Sequence, residues 1–490
     1  MKVTTNPSRR WSALALIVTA QFMVILDVAI VNVALPSIKH DLGFSEGSLQ
    51  WVVSAYAILF GGALLLGGRL ADLLGRRRMF VAGLLVFAAS SLLCGIAWSE
   101  TSLIAFRAVQ GVGGALLAPA ALALLMTTFT EGRDRNLALG IYGAASGSGA
   151  AAGVILGGVL TSYLSWSWIF FVNVPVGVGA ALLAPVLLRE SRPELGHRHF
   201  DLRGALSGTG GLMLLVYGLT RGTTAGWSSA ATVAALASAV LLLAGFLALE
   251  ARSPRPLLPL RLFRSRTLAA SNAVMAIVGA VTFSEFFVLT LYVQNILGYS
   301  PVRAGVAFVA FAGTVVIASN IAQIVVGRVG VRTTLTIGLV LSAVSVAAVS
   351  RLPQHGLYFV DLFPAFVVGG AGLGLSFVPL TIGSLTGVAR SDAGIASGLV
   401  NTSRQIGGAI GIAIVSAVIT IAAGHAGVRA GSPGALDHGF RVALLTLDGL
   451  LVIGTVLTIA FLGAAGVTAP AEATRHPAAE LDAVAFERAA

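Results

Sequence analysis

Charge is scarce in this chain. Only 10% of its 490 residues are Asp, Glu, Lys or Arg, against roughly 25% in soluble domains, so a water-facing globular surface cannot be assembled from it. Cysteine is nearly absent: Cys94 stands alone inside an apolar run, which excludes a disulfide framework and argues against a thiolate metal site. Lysine is limited to Lys2 and Lys39, and no GxxxxGK(S/T) stretch occurs. The chain therefore has no phosphate-binding loop of that type and is not expected to draw energy from bound ATP. The seven histidines are read as lying in loops or tails, and His197-x-His199 has too few companions for a metal site. With no nucleophile or metal constellation, an enzyme is the least expected class, and neither a cofactor nor a metal is expected.

What is abundant is apolar. Hydrophobic residues make up 57% of the chain and the mean hydropathy is +0.92. Runs near the ~20 residues that cross a bilayer recur with short polar breaks, and such runs span as helices. Fourteen candidate spans are read at 12–36, 48–68, 79–98, 102–128, 137–162, 168–188, 204–220, 229–250, 268–296, 303–326, 332–351, 357–386, 394–423 and 442–466. The first is too long for a signal-peptide core and is expected to be retained. The fold class is an all-α polytopic membrane protein.

The net charge of +11 invites a nucleic-acid reading, but the basic residues sit in the breaks between spans, as a topology signal does. Starting from a cytoplasmic amino terminus, 23 fall in inside segments and 6 in outside segments, with Arg107 and Arg404 within spans. Both termini are therefore expected in the cytoplasm, in the cell membrane, with no nucleic-acid partner. The arginine-for-lysine skew and the Ala and Gly load suggest a GC-rich bacterial genome.

An internal echo appears: Leu42-Gly43-Phe44-Ser45 and Leu297-Gly298-Tyr299-Ser300 are 255 residues apart, and Gly68-Arg69 and Gly327-Arg328 close the spans that follow. Two six-helix bundles in parallel orientation follow from this, at 12–188 and 268–466, a transporter architecture. Residues 1–11 form a cytoplasmic start, 189–267 carry two extra central helices with their flanking loops, and 467–490 form a cytoplasmic tail read as disordered or loosely helical.

The segment Gly68 to Arg78, GRLADLLGRRR, is a charged hairpin between two apolar runs. Gly68 and Gly75 permit a tight turn, Asp72 can approach the amino-terminal end of the next helix, and Arg76 to Arg78 suit an anionic inner leaflet. Asp27 and Glu285 lie ~13 and ~16 Å from the outer ends of their spans. Embedded acids are costly and are functional candidates by default; the bland reading of Asp27 is a neutral acid hydrogen-bonded in the bundle. Arg107 is also embedded, and a guanidinium that does not deprotonate acts by its charge or as a structural pair. Arg404 lies about ten residues inside its span with no assigned role, and Asp448 is read as a shallow polar contact. Gly149, Gly153, Gly157 and Gly158 allow close helix approach.

GRLADLLGRRR resembles the G-x-L-a-D-r-x-G-r-k loop of the major facilitator superfamily, with Leu73 where a basic residue is frequent. The resemblance implies a cytoplasmic latch through Asp72 and Arg76. Leu26 to Pro36 resembles the first-helix motif of that family's fourteen-helix drug:proton antiporters, and Leu103 to Gly111 its l-x-x-x-R-x-x-q-G motif. Gly149 to Gly158 resembles g-x-x-x-G-P-x-x-G-G, with Val154 replacing proline, and Trp166 to Pro175 resembles W-R-W-I-F-x-I-N-x-P, with Ser167 replacing arginine. Gly394 to Gly408 also resembles that branch. The resemblance implies a monomeric exporter of a hydrophobic, in one variant cationic, small molecule in exchange for protons by alternating access. In this mechanism Asp27 and Glu285 stand in the central cavity, with Arg107 tuning protonation; Glu285 matches no motif of the family, so its place rests on the cost of embedding an acid alone, and a contact to a cationic drug is its alternative role. An importer of a small solute and a non-transporting membrane sensor stand as alternatives.

Overall fold

The computed structural model describes residues 7–129, 133–190, 202–253, 260–353, 356–385, 393–425 and 433–462, with positions 256, 258 and 388. Among the described residues the regular structure is helical, and eleven helices are long and apolar enough to cross a membrane. The first six long helices are α1 (Pro7–Leu42), α2 (Trp51–Leu74), α3 (Arg76–Gly95), α4 (Glu100–Thr128), α5 (Arg133–Tyr163) and α6 (Asn173–Leu187). Then come α7 (Leu202–Ala225), α8 (Ala230–Arg252), α9 (Arg266–Asn295), α10 (Pro301–Val349), α11 (Phe363–Leu385), α12 (Ala393–His425) and α13 (Pro433–Phe461).

Several helices outrun their apolar cores. Helix α1 passes through Pro36 to Leu42, because Ile30, Val31, Val33, Ala34, Leu35 and Ile38 are all buried in one hydrophobic cluster and that packing outweighs the lost backbone donor. His40, His425 and His438, expected in loops, consequently lie within helices. Helix α13 begins at Pro433, nine residues before its apolar run, so Asp448 falls near the middle of the helix. Helix α5, where Val154 replaces the proline of the family motif, runs unbroken with Val154 buried inside it.

Turns show a repeat more clearly than the sequence does. Five glycines have positive φ, and four of them form two pairs 255 residues apart: Gly43 (72°) with Gly298 (66°), and Gly75 (110°) with Gly330 (84°). Ser45 and Ser300, the same interval apart, both cap a following helix with the side-chain oxygen. Side chains with a Cβ avoid these angles, which is why glycine recurs at both turns. Gly75 alone separates α2 from α3, and Gly330 alone breaks α10 into two limbs. This corrects two expectations. Gly68 is helical rather than part of the turn, and the Gly-Arg pairs are four residues out of register with the repeat that the turns define.

Helices α1 to α6 pack on one another, as do α9 to α13. Three seams join the groups: α1 on α9, α2 on α12 and α5 on the first limb of α10. If the repeat relates α2 to that first limb and α5 to α12, the last two seams exchange with each other, as a two-fold relation requires. Helix α7 lies against α2 and α12 together, and α8 packs outside it. The α7 attachment includes the Gln50 amide donating to Thr220 Oγ1.

Candidate functional site

The first group of helices encloses a polar cluster that its composition would not lead one to expect. Asp27 on α1 is 0% exposed and Arg107 on α4 is 1% exposed. The Arg107 Nη1 donates to Asp27 Oδ2 at 2.7 Å and to Gln110 Oε1 at 2.5 Å, while its Nε donates to the Val52 carbonyl at 2.9 Å. Asp27 Oδ1 accepts from Gln110 Nε2 at 2.8 Å and from Asn173 Nδ2 at 2.9 Å. Gln110 also donates to Ser91 Oγ at 2.6 Å. The guanidinium lies 4.3 Å from the Tyr56 ring centroid and 5.7 Å from that of Phe170, within cation–π range. Five helices thus converge on one ion pair.

Embedded ions are least costly when paired and hydrogen-bonded, and this pair meets both conditions. The carboxylate and guanidinium are turned into the first group and not toward the seams. The sequence names no partner for Arg107 beyond a nearby carboxyl or anionic group and expects Asp27 in a central cavity; the structure pairs the two inside one helix group. Gln110 and Asn173 were visible within quoted motifs without a stated role. Asn173 was masked by the aromatic residues around it, which read as an interface belt. Ser91 has no sequence signal at all.

The stripe Gly149, Gly153, Gly157 sits beside this cluster. A Cβ on these residues would lie 3.1, 2.7 and 2.8 Å from the carbonyls of Phe22, Leu26 and Ile30 on α1, so the glycines let α5 touch the α1 backbone on both sides of Asp27. Gly158 faces a different neighbour. Its Cβ would be 2.6 Å from the Pro301 carbonyl, and one on Gly305 would be 2.6 Å from that of Val154. The α5–α10 seam is closed there, with Val302 N donating to Ser162 Oγ at 3.2 Å.

The other hydrogen bonds between the two groups are Gln294 Nε2 to the Val33 carbonyl, 2.9 Å, and Thr402 Oγ1 to the Gly61 carbonyl, 3.1 Å. The first is near the end of the bundle that carries Gly43 and Gly298; the second is near mid-depth.

The second group carries its own embedded charges, unpaired. Glu285 on α9 is 7% exposed, and its Oε1 has no hydrogen-bond partner; no described cation lies within ion-pair distance. Arg404 on α12 is half-buried; its Nη2 donates to Asn401 Oδ1 at 3.1 Å and its guanidinium lies 5.6 Å from the Phe377 centroid. Asp448 Oδ1 also lacks a hydrogen-bond partner. The structure does not bring Glu285 and Arg404 together with Asp27. An open cleft of about 330 Å³ at the Gly43 end is lined by Ser48, Trp51, Glu100, Ile104 and Tyr217, none of them an embedded charge.

At the Gly75 turn, Glu190 reaches the amino terminus of α3. Its Oε1 accepts from the Arg77 backbone N at 3.1 Å, at the amino terminus of α3, and its Oε2 is 3.9 Å from the side chains of Arg77 and Arg78. Arg77 also donates to the carbonyls of Pro185 and Leu188. A carboxylate at a helix amino terminus is favoured by the helix dipole, and nothing local in the sequence marks Glu190 for this. The Asp72 side chain lies outside the described residues. Among those described, no group of three or more metal-ligating side chains occurs; His197 and His199 lie outside them.

The Major Facilitator Superfamily model matches residues 17–412. The chain is 42% identical to the puromycin resistance protein of Streptomyces alboniger, covering 92% of this chain and 90% of that one. It is 40% identical to the cephamycin export protein of Amycolatopsis lactamdurans, covering 93% of each, and 35% identical to the tetracenomycin C resistance and export protein of Streptomyces glaucescens, covering 84% and 76%. Among solved structures, a bacterial homologue of the lysosomal transporter Spinster, inward-facing and unoccupied, superposes with TM-score 0.66 at 16% identity over 94% of this chain and 98% of that one. A peptide transporter crystallised with sulfate superposes with TM-score 0.67 at 16% identity over 91% and 94%. Full-length sequence similarity, a shared helical fold and eleven helices fit to cross a bilayer lead to one conclusion: this chain is a multi-pass cell-membrane transporter, not an enzyme, and belongs to the major facilitator superfamily.

Proposed function

We propose that the chain exports an antibiotic or other hydrophobic drug across the cell membrane in exchange for protons, working as a monomer by alternating access. The observation that carries the export reading is the near full-length similarity, at about 40% identity, to proteins named for puromycin resistance and cephamycin export. In this reading fourteen helices span the bilayer, counting the two limbs of α10. They form bundles at 12–188 and 268–466, with 189–267 as the inserted pair and 467–490 as a tail. The 23-to-6 bias of basic residues puts the Gly75 end and both termini in the cytoplasm. The seams closed at the Gly43 end then correspond to an inward-facing state.

Glu285 is the exchange acid. With no cation to hold it, its carboxyl is free to take a proton entering from outside or the cationic centre of a drug, and the two compete. Asp27 with Arg107 is the second proton-linked element: a proton on Asp27 leaves Arg107 without a counter-charge and loosens α1 from α4. Asp72 and Arg76 latch the cytoplasmic side when the transporter faces outward. The glycines Gly149, Gly153, Gly157 and Gly158 let α5 slide against α1 and α10 as the seams change.

Expression in an efflux-deficient bacterium, followed by susceptibility to a drug panel, tests export. Reconstitution in vesicles under a pH gradient tests coupling and direction. Uptake driven toward the cytoplasmic side would replace the export reading with an importer. If Asp27→Asn and Glu285→Gln each leave proton-coupled efflux intact, the carrier assignment fails.

A further inference from the structure

The chain treats its two membrane-embedded arginines in opposite ways. Arg107 is enclosed: its donors reach Asp27, Gln110 and a backbone carbonyl, and an aromatic ring lies on its face. Arg404 has no carboxylate partner among the described residues. A guanidinium has five N–H donors, and the single described hydrogen bond of Arg404 uses one, from Nη2 to Asn401. The side chain is half-buried rather than enclosed. Arg404 is the twelfth residue of α12, ~16 Å along the helix from its Ala393 end, and next to the α2–α12 seam that Thr402 and Gly61 close.

The surroundings add recognition chemistry. The Phe377 ring faces the guanidinium. Tyr56, across the seam on α2, is 2% exposed, has a hydroxyl with no hydrogen-bond partner, and lies within electrostatic reach of Arg404. Gln405, 1% exposed, has an unpartnered Oε1. A fixed cation, an unused hydroxyl donor and an aromatic wall form a site for an acid group attached to an apolar body. Arginine suits it because its planar fork matches a carboxylate or phosphate.

Resting on the export reading, we propose that Arg404 binds an anionic group of the transported compound, so that the cargo includes organic acids and zwitterions in addition to cations. Glu285, equally unpaired and on the neighbouring helix α9, holds the cationic centre of a zwitterion while Arg404 holds its acid. The two ends of such a molecule are then read by separate charges of the second helix group, and neither charge is spent on the other.

The test uses full-length protein in phosphatidylcholine nanodiscs and three dansyl probes: dansyl-phenylalanine, its methyl ester, and dansylcadaverine. Binding is read from dansyl fluorescence. The wild type binds the acid at least about tenfold more tightly than the ester, the fold-change of one lost charged contact. Arg404→Gln removes that preference by weakening the acid alone, Arg404→Lys keeps part of it, and Tyr56→Phe reduces it, which covers the case in which Arg404→Gln does not fold. Glu285→Gln weakens dansylcadaverine and leaves the acid unchanged. Equal binding of acid and ester, failure of the acid to bind, or equal weakening of both by Arg404→Gln overturns the proposal. So does loss of acid binding when phosphatidylglycerol is added, since the site would then belong to a lipid headgroup. Efflux of dansylcadaverine under a pH gradient reads the export proposal separately: efflux without acid preference sinks only the anion site, and acid preference without efflux sinks only export.

Discussion

Replacing Asp27 by Asn keeps the size of the side chain and removes only its charge. In the structure, Asp27 Oδ1 accepts from Gln110 and Asn173, and Oδ2 accepts from Arg107. An asparagine can satisfy the first two donors through its carbonyl, but its NH2 then points at the Arg107 Nη1, donor against donor. Arg107 is left as an uncompensated cation, 1% exposed, and breaking a buried pair in this way costs about 3–5 kcal/mol. Asn173→Ala, which removes a neutral donor and leaves the pair intact, costs less, about 1–3 kcal/mol. The double variant Asp27→Asn/Arg107→Gln removes both charges and restores amide-to-amide hydrogen bonding, so it recovers more than half of the single-variant loss. The assay is a double-mutant cycle on thermal stability of purified protein, with substrate binding as a second readout. Additivity of the two single changes within about 0.5 kcal/mol would refute the reasoning, because it would mean that the pair contributes no coupling in the folded transporter.

Further expectations follow from the seams, the turn and the second acid. Gly158→Leu places a side chain against the Pro301 backbone, which cannot move aside as a flexible side chain can. The Gly43 end should open, and a cysteine at Ser162, introduced with Cys94→Ser, should react several-fold faster with a thiol reagent; an unchanged rate contradicts the closed seam. Gly75→Ala must adopt φ near 110° and also meet Glu190, so it should cost about 1–3 kcal/mol and lower expression, whereas Gly68→Ala should be tolerated. The second-half loop Gly327 to Arg332 has no aspartate, so Asp72→Asn should slow cycling more than any change there, and equal effects would contradict a latch carried by the first-half loop. Acidifying the outside should speed efflux, because protons run inward as drug runs outward; Glu285→Gln should flatten that dependence, and a steep profile in the variant would clear Glu285 of proton exchange.

The path from residues to site was legible in unequal parts. Asp27, Arg107, Glu285 and Arg404 stand out in a sequence this poor in charge because each interrupts an apolar run, and the cost of embedding it demands a reason. Their partners do not stand out. Ser91, Gln110 and Asn173 are ordinary polar residues far apart in the chain, and only the convergence of α1, α3, α4 and α6 makes them the donors and acceptors of one ion pair. Glu190 was equally silent, since its position at the α3 amino terminus depends on where α6 ends.

By itself, the sequence determined that this is a helical membrane protein, that its halves echo at an interval of 255 residues, and which embedded charges need explaining. Those conclusions rest on transfer free energies and on backbone angles that glycine alone adopts readily, and both are properties of local composition. The tertiary structure decided what each charge is for. It closed Asp27 onto Arg107, left Glu285 and Arg404 without counter-charges, and sent Gly149, Gly153 and Gly157 to α1 but Gly158 to α10. Pairing inside a membrane depends on which helix faces meet, and neighbouring faces of α5 serve different partners although their glycines are adjacent in the chain.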